Sequence, residues 1–423
     1  MSDEPCRDDA PDDGEMLALI TAVGVALNRS SYPVTETAKV LREICRAYDF
    51  DATAQVFATY IVTLDEKKGA TEIANSGPGF RFDQIAATED VVHRLRHADV
   101  PVAEALATLR KISSARPPVN PFLRIVGYML MALGFAFCFR MSFAASVAAV
   151  VVAIPIAAIQ IWFSAKGALA ALMPFMLTFI SALAITLWAV HGGLPDPVRV
   201  AVIPVLTLIP GAMLTTALIE LSAGDQITGS SRLVYALVVL MSMAFGLALA
   251  IDLIGIGSQD LRDLTSQQAP YWVMWVAAPV YAVGNLMYFC TPRRAWWWTV
   301  FFCFITFWFT NLLQHWMNAA FAGGVGMGAA LLACWAVNAH DKNRPSVLVM
   351  FLPAFWLMVP GSMGFVAISG AITQDHALSS LGTGAALSLL SMAICMMLAA
   401  VLAPAITRPL RLRRSARTGT AAS

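Results

Sequence analysis

The chain has 423 residues, 58% hydrophobic and 13% charged, with a mean hydropathy of +0.68 and a net charge of +1. Soluble domains carry roughly 25% charged residues, so this composition excludes a soluble fold and describes a polytopic membrane protein. The near-neutral balance gives no case for nucleic acid. The seven cysteines are scattered without CxxC or Cys/His spacing, which argues against a disulfide framework or a zinc site.

Residues 1–15 are acidic and polar and read as a disordered start rather than a signal peptide, which needs a basic start before an apolar core. Residues 16–116 predict a small cytoplasmic α+β domain. Met16–Asn28 and Thr35–Tyr48 carry helical periodicity. Ala54–Leu64 is rich in β-branched and aromatic residues, a turn follows at Asp65–Gly69, and Ala70–Ala74 can pair back as a hairpin. Asp83–His97 and Val102–Ser114 are again helical in pattern. His93 and His97 have the spacing of a metal pair, but Arg94 and Arg96 flank them and no third ligand is near. No metal and no cofactor are expected. Arg116-Pro-Pro-Val-Asn-Pro121 is a stiff linker.

A crossing needs about 20 apolar residues. The hydropathy predicts ten, at 121–139, 143–163, 167–190, 200–219, 230–251, 271–290, 295–314, 318–337, 347–371 and 379–405. An even number leaves both termini on one side. With the N-terminal domain in the cytoplasm, the inner side gathers Arg116, Arg124, Lys166, Arg232, Arg293, Arg294, Lys342, Arg344, Arg408, Arg411, Arg413, Arg414 and Arg417. The outer side has Arg140, Arg199 and Arg262, as the positive-inside rule requires. The basic tail 406–423 suits anionic lipid.

Two crossings share an unusual feature. Ile203-Pro-Val-Leu-Thr-Leu-Ile-Pro210-Gly211-Ala-Met and Leu352-Pro-Ala-Phe-Trp-Leu-Met-Val-Pro360-Gly361-Ser-Met each carry Pro-Gly inside an apolar run. Proline removes a helical N–H and glycine lets the chain leave the helix. The breaks fall in the fourth and ninth crossings. The expected architecture is therefore two inverted five-helix repeats, residues 117–251 and 271–405, joined by an extracytoplasmic loop at 252–270. The alternative is a chance likeness between two proline-kinked helices.

Candidate substrate-binding residues cluster at the breaks. Helix N-termini at Pro210-Gly211 and Pro360-Gly361 can receive a carboxylate. Thr215, Thr216 and Ser362 can bond a hydroxyl, and Asn311 is an intramembrane amide whose commoner role is interhelix bonding. After the first break comes Glu220-Leu-Ser-Ala-Gly224-Asp225-Gln-Ile-Thr-Gly229-Ser-Ser-Arg232. Acids close to the bilayer are expensive and functional by default. Glu220, Asp225 and Arg232 are the candidate proton-coupling set, Glu220 first. The plainer reading, a wet cytoplasmic turn, weighs evenly for Glu220 and is the stronger for Asp225. No Walker motif, GxSxG or HExxH occurs, so neither ATP drive nor an enzyme is indicated.

The string Pro210-Gly211-Ala-Met-Leu-Thr-Thr, then Glu220-Leu-Ser-Ala-Gly-Asp225, Gly229 and Arg232, resembles the signature of the threonine/serine exporter family. Its usual aspartate is here the longer Glu220. Phe80-Arg-Phe-Asp-Gln-Ile-Ala86 is similar to a segment after the hairpin in actinobacterial-type members. The resemblance runs over about residues 16–405 and implies efflux of threonine and serine from the cytoplasm across the cell membrane, driven by the proton motive force. It implies an amino acid, protons and membrane lipid as partners. Some two-polypeptide relatives are associated with succinate export. A dicarboxylate exporter and a membrane-anchored sensor stay open as alternatives, and self-association into a homo-oligomer is neither required nor excluded.

Overall fold

The computed structural model describes residues 12–163, 168–194, 196–255, 268–340, 345–358 and 381–419. These divide into two compact units. One is Met1–Arg116 with Ala223–Thr228, and the other is Pro117–Ser222 with Gly229–Ser423.

The first unit holds α1 (Asp13–Arg29), α2 (Val34–Ala47), strands β1 (Ala52–Val56), β2 (Tyr60–Asp65) and β3 (Thr71–Asn75), then α3 (Phe82–Leu95) and α4 (Val102–Ser114). The strands form an antiparallel sheet in the order β1-β2-β3. The sequence predicts one strand over Ala54–Leu64, but the structure folds this stretch into two paired strands. Phe57 N–H donates to the Tyr60 carbonyl at 3.0 Å and the two rings stack at 4.6 Å, so the turn forms without glycine or proline. The predicted return strand does pair with β2, Leu64 opposite Thr71 and Tyr60 opposite Asn75. The core is apolar: Leu19, Ile20, Val23 and Leu27 of α1, Leu41 and Ile44 of α2, and Ile61 of β2 are all buried. The Phe80–Ala86 segment is a joint. Gln84 closes a capping box on Arg81 N–H at 3.1 Å and donates to the Ile112 carbonyl at 2.7 Å. Arg81 grips Asp83 with two bonds and reaches the Ala115 carbonyl at 3.0 Å. His93 and His97 meet edge to face with centroids 4.7 Å apart. No group of three metal-binding side chains exists among the described residues.

The second unit is helical: α5 (Pro121–Cys138), α6 (Phe143–Trp162), α7 (Ala168–Gly192), α8 (Pro197–Val202), a 3-10 helix at Ile203–Leu208, α9 (Gly211–Ser222), α10 (Gln226–Ile254), α11 (Val273–Tyr288), α12 (Trp296–Leu313), α13 (Ala319–His340), α14 (Val347–Met358) and α15 (Leu381–Gly419). Among the described residues, seven helices are long and apolar enough to cross a membrane. Pro197–Leu208 with Met213–Ser222 forms a further pair bent by 61°. The protein is thus a polytopic helical membrane protein. The predicted crossings at 271–290 and 347–371 contain only the shorter apolar helices Val273–Tyr288 and Val347–Met358. Residues 359–371, with Pro360, Gly361 and Ser362, lie outside the described residues. The helix of the last crossing continues into the basic tail.

Small residues set the packing, as expected where lipid removes the hydrophobic drive between helices. On α6, Ala145, Ala148, Ala149, Ala153 and Ala157 are buried while Phe143, Val147, Val151 and Ile154 face outward. Helices α5 and α11 run antiparallel with backbones in contact. A Cβ on Gly134 would lie 2.6 Å from Tyr281 N, and one on Gly284 would lie 2.6 Å from Met131 N. Gly324 and Gly328 of α13 meet Ser391 and Cys395 of α15 in the same way. Gly323 differs, because its nearest neighbour is the flexible end of Met392 at 3.2 Å.

Gly134→Ala and Gly284→Ala should each lower the thermal stability of the purified protein in detergent, by about 1–3 kcal/mol as overpacking does. Gly323→Ala should stay within about 0.5 kcal/mol of wild type. Melting followed by size-exclusion recovery tests this; equal effects at all three positions would contradict the close α5–α11 approach.

Candidate functional site

The bent helix pair from Pro197 to Ser222 is built around three prolines. Pro197 opens α8, where proline's missing N–H costs nothing, and Asp196 caps it. Pro204 lacks the N–H that a 3-10 turn would offer to the Ala201 carbonyl. Ser181 of α7 takes that place, its Oγ donating to Ala201 O at 2.7 Å. Pro210 ends the first segment. Ile209 N–H closes on Leu206 O at 3.3 Å, Gly211 N–H turns back to Ile209 O at 2.8 Å, and Leu214 N–H to Pro210 O at 2.9 Å starts α9. The helix therefore breaks where the sequence predicts. Gly211's own N–H is engaged within the turn. An α-helix leaves its first N–H groups without an intrahelical partner, and α9 begins at Gly211. Thr215 is buried and donates from Oγ1 to the Gly211 carbonyl at 3.1 Å, retaining lone pairs as an acceptor. Thr216 is half-buried one position on.

Helices α9 and α10 form a hairpin. Gly224 turns the chain at φ +89°, a conformation that favours glycine. Asp225 accepts from Thr228 N–H at 3.0 Å, capping α10. Gly229 lies against α9 so closely that a Cβ would stand 2.9 Å from the Ala217 carbonyl. That approach brings Arg232 to Glu220: Nε to Oε2 is 3.1 Å, with Glu220 fully buried and Arg232 13% exposed. The structure thus joins Glu220 with Arg232 and assigns Asp225 to the helix cap. Asn311 Nδ2 donates to Phe307 O at 2.8 Å within α12.

Sequence reading missed a polar group beside the first break. Tyr128 of α5 donates to the Pro204 carbonyl at 2.6 Å and lies 2.7 Å from Thr207 Oγ1. Gln160 of α6 donates to Tyr128 Oη at 2.9 Å and accepts from Tyr288 Oη of α11 at 3.0 Å. The available signal was Gln160, the one side-chain amide in a helix whose other residues are apolar but for Ser146.

A family model described as "Putative threonine/serine exporter" (ThrE) matches residues 18–254. An uncharacterized protein of Schizosaccharomyces pombe is 22% identical over 171 residues, which are 38% of this chain and 20% of the yeast protein. The chain thus spans about a fifth of that relative's length. No solved structure matches the chain.

Breaking a buried ion pair leaves one charge without its counterpart and costs roughly 3–5 kcal/mol, whereas replacing both partners with apolar residues is often neutral. Glu220→Gln and Arg232→Met should each melt well below wild type in detergent, and Glu220→Leu/Arg232→Met should recover most of the loss. Single variants that melt with wild type would show that the pair does not hold the hairpin.

Proposed function

The chain belongs to the ThrE family, a family of transporters rather than enzymes, and from that premise we propose that it is a secondary exporter of small hydroxylated amino acids, threonine and serine, working by alternating access around its broken crossings. One observation carries the reading. A membrane crossing bends by 61° at Pro210-Gly211, and the helix that leaves the bend ends at a buried Glu220–Arg232 pair. Unwound backbone within a bundle supplies directional groups for a zwitterion. The N-terminus of α9 suits the carboxylate, freed carbonyls suit the ammonium, and Thr215 with Thr216 suits the side-chain hydroxyl. Pro360, Gly361, Ser362 and Asn311 complete the proposed site from the second half.

Proton coupling is assigned to Glu220. Protonating it would discharge the pair and free Arg232, a change in local charge large enough to bias a two-state hairpin. Asp225 would enter only through the α10 cap. Because Arg232 is engaged by Glu220, the fixed positive charge that a dicarboxylate calls for is already balanced, which favours a neutral zwitterion over succinate.

The inverted repeat is supported by a constant interval. Pro210 and Pro360 are 150 residues apart, as are Gly134 and Gly284, and Met131 and Tyr281. Gly134 packs on Tyr281 and Gly284 packs on Met131, a reciprocal contact of the kind a two-fold relation between the halves produces. Helices α8 and α14 begin at Pro197 and Val347, the same interval apart. The proposal therefore keeps ten crossings in two halves, a cytoplasmic N-terminal domain and both termini in the cytoplasm of a cell-membrane protein.

Counterflow in proteoliposomes with labelled threonine, serine and succinate tests the reading. Threonine and serine should exchange and succinate should not. One pH unit is worth 1.36 kcal/mol, so a one-unit gradient should support up to about tenfold accumulation for each coupled proton. Glu220→Gln should exchange substrate without responding to the gradient, and Glu220→Asp should retain the response. An unchanged response in Glu220→Gln removes Glu220 from coupling; movement of succinate alone removes the amino-acid reading.

A further inference from the structure

The 3-10 helix Ile203–Leu208 is the weakest stretch of the broken crossing. Its turns are tight and poorly aligned, and Pro204 removes one donor. A buried hydroxyl bonds to it from outside. Tyr128, 2% exposed, gives its one proton to the Pro204 carbonyl. Its two lone pairs then receive Gln160 Nε2 and the Thr207 hydroxyl, which must be the donor in that contact. Gln160 is fixed in turn by Tyr288, and the Tyr128 and Tyr288 rings meet edge to face at 5.0 Å. Arg124 anchors this end, donating to the Tyr288 carbonyl at 3.1 Å.

Tyr128 and Tyr288 stand on α5 and α11, whose glycine-mediated backbone contact leaves them little freedom to slide. A stiff helix pair therefore grips a soft half-helix through neutral hydrogen bonds, which can break and re-form without exposing a buried charge. The grip is one-sided. The positions 150 residues after Tyr128, Gln160 and Thr207 hold Ala278, Thr310 and Leu357, so the second half lacks this tyrosine–glutamine–threonine set.

We propose that Tyr128 is a positioning residue that latches the Ile203–Leu208 half-helix to the α5–α11 pair, with Gln160 and Tyr288 holding its hydroxyl in place, and that transport requires this latch to open. The proposal rests on the exporter reading above. Tyr128→Phe keeps the ring and its packing and removes only the hydroxyl.

Hydrogen–deuterium exchange of the full-length protein in nanodiscs reads the latch without substrate. Net hydrogen bonds of this kind correspond to roughly three- to tenfold in an equilibrium. Tyr128→Phe should raise exchange by about that factor in peptides covering 203–214 and leave α5 and α11 peptides unchanged. Gln160→Met should give a smaller rise in the same peptides and add nothing to Tyr128→Phe. Ser181→Ala, which frees Ala201 from the α7 side, should add to it. In threonine counterflow, Tyr128→Phe should change half-saturation and maximal rate by different factors, because the population of the competent state shifts. Exchange unchanged at 203–214, or raised evenly across the membrane helices, overturns the latch. A local rise with both transport constants at wild-type values reduces Tyr128 to a structural tie and also overturns the proposal. If the wild type moves neither threonine nor serine, the exporter reading fails on that result, and the exchange data alone decide the latch.

Discussion

In hydrocarbon a peptide group without a hydrogen-bond partner costs several kcal/mol, and no water is at hand to relieve it. The bent helix pair from Pro197 to Ser222 contains three prolines and a bend of 61°, and neighbouring helices supply partners that its backbone has lost. Ser181 reaches in from α7 to the Ala201 carbonyl, and Tyr128 from α5 to that of Pro204. Helices α5, α6 and α7 pack against this segment. Where the broken main chain is covered, it is covered by hydroxyls, and a hydroxyl can change partners.

The halves of the membrane unit share a plan but not an equipment. Helix starts and glycine contacts recur at an interval of 150 residues. Yet the positions equivalent to Glu220 and Arg232 are both glycine, Gly370 and Gly382, and the position equivalent to Ser181 is Leu331. The buried ion pair of Glu220 and Arg232 belongs to the first half, whereas buried hydroxyls occur in both. Residues 18–254, the range that the family model matches, run from the N-terminal domain to the end of that half.

Much of this was legible along the chain because it is local. Helix α4 spans the residues that periodicity assigns to it, and the break lies at the predicted Pro210-Gly211 because proline and glycine act on their own neighbours. The turn between β1 and β2 was not legible, since Phe57-Ala58-Thr59 contains no turn residue and is closed by aromatic stacking. Tyr128, Gln160 and Tyr288 were missed for a different reason. The two tyrosines carry no local signal, and only the fold brings positions so far apart in sequence into one chain of hydrogen bonds. Asn311, singled out because an amide in a membrane is rare, bonds to the turn before it.

The same distinction bears on the sequence signature itself. Its residues look like a catalogue of binding groups, but most have an architectural duty in the structure. Gly224 makes the turn, Asp225 caps α10, and Gly229 lets the two helices touch. What these duties achieve together is the placement of Arg232 3.1 Å from a fully buried Glu220. A charge pair in that setting cannot be assembled by a loose hairpin, because each ion would face its desolvation cost alone until the other arrived. The signature is therefore best understood as the specification of one hairpin closed around one ion pair. The break at Pro210-Gly211 lies at the far end of the same helix, about two and a half turns away, so the pair and the break are the two ends of one short helix.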